Sequence, residues 1–155
     1  MLNNVLGLFA AWAAYHLALA YENGRGCRKS LAKAKRWYGF AAREGFASAQ
    51  VNLGAILAQM GRRMNSLRMF QRAANLFRGA ARAGNRNAAY NLGFYYRDGI
   101  GVRRSARWAA HWFGVAARGG DRDAKRALRC LGRQERLGGQ RGLSRPQRAV
   151  KRARG

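Results

Sequence analysis

The sequence predicts an all-α fold, an α/α solenoid of about three helix-pair repeats followed by a final helix and a basic C-terminal tail. Two observations predict it. An A-x-x-x-L core recurs at Ala13 with Leu17, Ala49 with Leu53, Ala88 with Leu92 and Ala124 with Leu128, so successive leucines lie 36, 39 and 36 residues apart. That period belongs to stacked helix pairs, none of which buries its apolar face alone. The solvent-facing positions of each copy are filled by Arg or Lys. Lys and Arg total 31 against 6 acidic residues, a net charge of +25. Such an excess goes beyond what solubility asks for and points to a polyanionic partner.

In each copy a first helix, a glycine turn, a second helix and another glycine turn follow in order. In the third, Ala88, Leu92 and Tyr96 recur at four-residue intervals on one helical face, and Gly99-Ile100-Gly101 ends the helix. Ser105 is placed to cap the next helix, whose Ala109, Trp112, Phe113 and Ala116 form a core stripe before Gly119 and Gly120. The first copy repeats this with Gly24, Gly26, Ser30, Ala34, Trp37, Tyr38, Ala41 and Gly45. The middle copy lacks the paired-glycine turn and inserts three residues around 60–65, which predicts a longer turn, with Leu76-Phe77 in place of Trp37-Tyr38. The order of these features resembles the Sel-one-like repeat of the tetratricopeptide superfamily over roughly residues 13–131. The resemblance implies a right-handed superhelix. Where the family carries an acidic residue at the start of the second helix, this chain has Ser30 and Ser105, which keep the cap and remove the negative charge.

The domain reading is an N-terminal apolar helix or cap at 1–12, the solenoid at 13–132 and an Arg-rich extension at 133–155. The extension is rich in Gly, Arg and Gln and is expected to be disordered alone, with Ser144 and Pro146 placed to start a short helix to Ala153. Residues 1–20 share features with a secretory signal, through the apolar run Val5–Ala14 and the Ala-Leu-Ala at 18–20. Against that, His16, Leu17 and Tyr21 fill the same repeat positions as Asn91, Leu92 and Tyr96, and the first basic residue is Arg25. No apolar stretch is expected to be long enough to cross a bilayer. Cys27 and Cys130 have neither metal-ligand nor disulfide-framework spacing, so reduced thiols are expected.

The candidate function lies on surfaces. Lys29, Arg68 and Arg104 share one repeat position, and Arg43, Arg82 and Arg118 share another. Lys29, Lys33, Arg36 and Arg43 line one face of the second helix, and Arg72 and Arg107 extend the basic set in later copies. The tail adds Arg141, Arg145, Arg148, Lys151, Arg152 and Arg154. Stacking would turn these into positive ridges that grip phosphates, with steep salt dependence and little base specificity. Tyr15, Tyr90 and Tyr95, off the core stripe, and Asn52 and Asn91, in one shared position, are candidates for a partner-binding groove. Trp37, Tyr38, Trp112 and Phe113 are expected in the core.

His16 and His111 are isolated, and no nucleophile, base and acid arrangement is present, which points away from catalysis, a metal or a cofactor. The leading reading is a structural RNA-binding subunit of a large intracellular ribonucleoprotein, an accessory organellar ribosomal protein that binds rRNA backbone and neighbouring proteins. The mitochondrial version rests on analogy alone. The alternative, implied by the resemblance, is a protein-interaction adaptor whose solenoid binds an acidic protein partner. Attachment to an anionic membrane is a third reading, and the sequence shows no amphipathic helix with a large exposed apolar face to support it.

Overall fold

A computed structural model describes the backbone of residues 2–142 and the side chains of residues 5–133. The described residues form seven helices: α1 (Leu2–Asn23), α2 (Leu31–Arg43), α3 (Ala47–Met64), α4 (Leu67–Arg82), α5 (Arg86–Asp98), α6 (Ala106–Arg118) and α7 (Arg122–Gly142). Each packs on the next, with the closest pairing within α1–α2, α3–α4 and α5–α6. This is the all-α helix-pair solenoid that the period predicts.

Polar side chains set the helix starts. Ser30 and Ser105 accept hydrogen bonds from the amides of Lys33 and Trp108, both at 3.3 Å, and Asn85 and Asp121 do the same for Ala88 (3.0 Å) and Ala124 (2.9 Å). The cores are built from alanine: Ala34, Ala41, Ala73, Ala80, Ala109 and Ala116 are fully buried beside Tyr38, Phe77 and Phe113. Small residues let the helices approach until the aromatic rings fill the space between them.

The middle repeat corrects the sequence expectation. The inserted residues do not lengthen its turn. They extend α3 to 18 residues, against 13 for α5, and the turn is reduced to Asn65 and Ser66. Met and Arg favour helix, so without the paired glycines the helix winds on until Asn65 turns it in the left-handed conformation, at φ 47°. In the third repeat Gly101 does need to be glycine. Its φ is +65°, and a Cβ there would lie 2.5 Å from the carbonyl carbon of Phe70, where the α5–α6 turn seats on α4.

The ends also depart from expectation. Ala13 and Leu17 are exposed, and the first helix instead buries Ala11, Ala14 and Ala18. Trp37, expected in the core, is 39% exposed, while Trp112 in the equivalent position is buried in the cluster that holds Phe77, Ala80 and Ala81 of the preceding repeat. One cause explains both. These positions face the preceding repeat, and among the described residues no repeat precedes the first copy. Residues 1–12 are not a separate helix, since α1 is continuous to Asn23. Nor does the last helix stop near 131, because α7 runs to Gly142 and takes in the first part of the expected tail.

Candidate functional site: cationic recesses between the second helices

Alternating helix directions place the α1–α2, α3–α4 and α5–α6 turns on one edge of the solenoid and the α2–α3, α4–α5 and α6–α7 turns on the other. The two basic columns therefore occupy opposite edges. Lys29, Arg68 and Arg104 sit where the second helix of each pair begins, and Arg43, Arg82 and Arg118 are the last residues of those helices. All six are exposed. A cation at a helix C-terminus is favoured by the helix dipole and one at the N-terminus is opposed by it, by tenths of a kcal/mol.

Four of the expected residues, Lys33, Arg36, Arg43 and Arg72, come together with Lys35. A recess of about 320 Å³ between α2 and α4, floored by α3, is lined by Lys35, Arg36, Arg43 and Arg72 over Leu53, Leu57, Met60 and Met69. A second, of about 380 Å³, is lined by Lys33, Arg36 and Arg43 with Tyr21, Trp37 and Phe40. Arg36 and Arg43 belong to both, so the recesses are continuous. Lys33 Nζ lies 5.1 Å from the centre of the Tyr21 ring, a cation–π contact that fixes one wall.

The five cations have no ion-pair partners among the described residues. Arg97 pairs with Asp98 at 2.7 Å in α5 and Arg126 with Asp123 at 3.5 Å in α7, while the Glu22 carboxylate accepts the Tyr38 hydroxyl at 2.6 Å. Arg97 holds the Asp98 carboxyl below its ordinary range through their hydrogen bond. The recesses thus combine fixed positive charge, forked donors suited to carboxylate or phosphate, and an adaptable methionine floor.

Lys35 escaped the sequence reading. Its spacing of eight residues from Arg43, through Gly39, puts all three on one helical face, and that was the signal for it. Arg107 is exposed but lines neither recess. The side chain of Arg141, and all of Arg145, Arg148, Lys151, Arg152 and Arg154, lie outside the described residues, as does the expected helix to Ala153.

The expected groove residues are not gathered into one exposed set. Tyr15 packs on Tyr38 and Phe46, with ring centres 5.8 and 5.0 Å apart, and Tyr90 lies between Phe94 and Phe113. Tyr95 is buried edge-on against Phe77, because it occupies the interior position that Ile56 fills in the middle repeat. Burial pushes its hydroxyl pKa up, and that hydroxyl has no hydrogen-bond partner among the described residues. Asn91 and Tyr95 do line a cleft of about 510 Å³ between α3 and α5, with Arg62, Asn65 and Phe70. Asn52 lies instead beside the Tyr38 hydroxyl.

The Sel1 repeat model matches residues 13–46, 47–85 and 86–121, which together span most of the solenoid. The chain belongs to the Sel1 repeat family. It is similar to the crystal structure of a Sel1 repeat protein from Oxalobacter formigenes, with 35% identity and a TM-score of 0.69 over 82% of this chain and 92% of that one. It is also similar to c5321, a protective antigen of uropathogenic Escherichia coli with an SLR fold, at 35% identity and a TM-score of 0.68. That match covers 76% of this Sel1 repeat chain but 25% of c5321. No curated protein matches the sequence.

The N-terminal helix overturns two expectations. Val5–Asn23 is long and apolar enough to cross a membrane, because its interruptions are uncharged up to Glu22. Its first half also exposes the large apolar surface that the sequence reading found missing, at Val5, Leu6, Leu8, Phe9 and Trp12.

Proposed function

We propose that this Sel1 repeat chain is a protein-interaction adaptor that seats an acidic segment of a protein partner in the recesses between α2 and α4. The observation that carries the proposal is the convergence of Lys33, Lys35, Arg36, Arg43 and Arg72 on two continuous recesses whose lining residues include no carboxylate. The floor of Leu53, Met60 and Met69 gives an apolar side chain beside each acidic group a place to pack, which a phosphate backbone would not use. A protein-scaffold role fits the Sel1 repeat family, whose model matches three repeats of this chain. The rRNA-binding reading therefore gives way to the adaptor.

A capped peptide alternating Glu and Leu, compared with a single-stranded RNA of equal charge at physiological salt, tests the assignment. The triple change Lys35→Glu, Arg36→Glu, Arg72→Glu is expected to abolish peptide binding, while Arg103→Glu, Arg104→Glu, Arg107→Glu around the start of α6 leaves it within about threefold, since those residues line neither recess and are exposed to screening. A peptide that is lost equally with both variants, or that binds more weakly than the RNA, would sink the proposal.

A further inference from the structure

The apolar half of α1 and a row of arginines lie on one edge of the molecule. α1 runs antiparallel to α2 and is longer, 22 residues against 13, so its N-terminal part reaches the edge where α2 ends. A Cβ added at Gly7 would lie 3.7 Å from the Glu44 carboxylate, and Phe46 of the α2–α3 turn joins Val5, Leu8, Phe9 and Trp12 around an apolar cleft of about 450 Å³. Exposure there runs from 50% at Val5 to 68% at Phe9. Soluble monomers rarely leave so continuous an apolar face bare.

The same edge carries Arg43, Arg82 and Arg118 at the ends of α2, α4 and α6, and Arg86 and Arg122 at the starts of α5 and α7, all exposed. Arg86 Nη1 donates to the Gly119 carbonyl at 3.2 Å, which ties two of these turns side by side. Glu44, Asp121 and Asp123 also lie here. Asp121 caps α7 and Asp123 faces Arg126, so both are partly neutralised.

We propose that this edge is a peripheral docking surface for an anionic lipid bilayer. The first half of α1 beds among the acyl chains, Trp12 sits at headgroup depth, and the arginine row meets the lipid phosphates. Charge complementarity selects this occupant. A second copy seated on α1 would bring two arginine edges of chains carrying +25 each into contact. Full insertion of α1 is opposed by its second half, which is held in the solenoid by buried Ala11, Ala14 and Ala18 and by the Tyr38–Glu22 hydrogen bond.

The test is sedimentation of the full chain with vesicles of phosphatidylcholine alone and of phosphatidylcholine mixed with phosphatidylglycerol, alongside solution oligomeric state. Binding is expected only to the anionic vesicles. Leu8→Gln with Phe9→Gln should weaken it about tenfold or more, since two large side chains no longer leave water favourably. Arg82→Glu with Arg118→Glu should also weaken it and leave the remaining binding less sensitive to salt. All four positions are exposed, so both variants are expected to keep the helical circular dichroism spectrum, and Leu6→Gln provides an independent apolar change. Vesicle binding indifferent to the α1 substitutions would reduce the effect to general attraction and overturn the proposal. So would a monomer that ignores anionic vesicles, or a dimer that Leu8→Gln with Phe9→Gln converts to monomer without any vesicle binding.

Discussion

Gly93→Ala isolates the close approach of α5 and α6 on which the third repeat is built. Glycine in mid-helix is unfavourable by about 1 kcal/mol relative to alanine, so helix propensity alone predicts stabilisation. The packing predicts the reverse. A Cβ at Gly93 would overlap Cδ1, Cε1 and Cγ of Phe113, a ring with no exposed surface that also packs on Tyr90 and Phe94. Overpacking of this kind costs about 1–3 kcal/mol, and a ring held on several sides places the cost near the upper end. The net expectation is a loss of about 1–2 kcal/mol, or about 3–6 °C in Tm for a chain of this size. Gly54→Ala, whose Cβ would lie 2.8 Å from Cε1 of Phe77, should lose less. Gly39→Ala is the control, since nothing lies within 4 Å of its Cβ, and it should gain about 0.5–1 kcal/mol. Urea and thermal unfolding of the three variants read the result. A Gly93→Ala protein as stable as its parent, with Gly39→Ala unchanged or worse, would refute the reasoning.

Tyr38→Phe removes the 2.6 Å bond to Glu22 and should cost about 1.5–3 kcal/mol by urea unfolding. The Tyr38 hydroxyl pKa is raised, first by burial and then by Glu22. The unfolded chain therefore releases that proton first, and stability should hold below the ordinary tyrosine pKa of about 10 and fall as pH rises past it. Tyr38→Phe should flatten that alkaline loss. Tyr95→Phe should leave the urea midpoint unchanged or raise it, because the buried hydroxyl it removes has no partner among the described residues. Ser105→Ala should cost about 1 kcal/mol by the loss of the cap on the Trp108 amide, with the same cost for Ser30→Ala at Lys33.

Much of the fold was legible because local chemistry and the repeat agree. Ser30 and Ser105 cap where they were expected to, and Ala88, Leu92, Tyr38 and Phe113 are buried as their spacing requires. What sequence reading missed depended on neighbours. Trp37, Ala13 and Leu17 fit a repeat position whose burial comes from a preceding repeat, so periodicity alone assigned them a core they do not have. Tyr95 erred in the opposite direction, since its side chain turns inward on Phe77. At 60–65 the missing glycine signal predicts a longer turn, whereas Arg62, Arg63 and Met64 simply continue α3. At the site, the charge columns were readable from repeat alignment. Their convergence around Arg36, Arg43 and Arg72 required the packing of α2 against α3 and α4, which no pairwise spacing contains.

The most direct test of the adaptor proposal is purification of the tagged protein from its native source, with and without nuclease, beside the Lys35→Glu, Arg36→Glu, Arg72→Glu variant. The adaptor predicts a discrete acidic protein partner that survives nuclease and disappears with the variant. Recovery of a single structured RNA, lost with nuclease and carrying the associated proteins away with it, would contradict the account and return the basic surfaces to RNA.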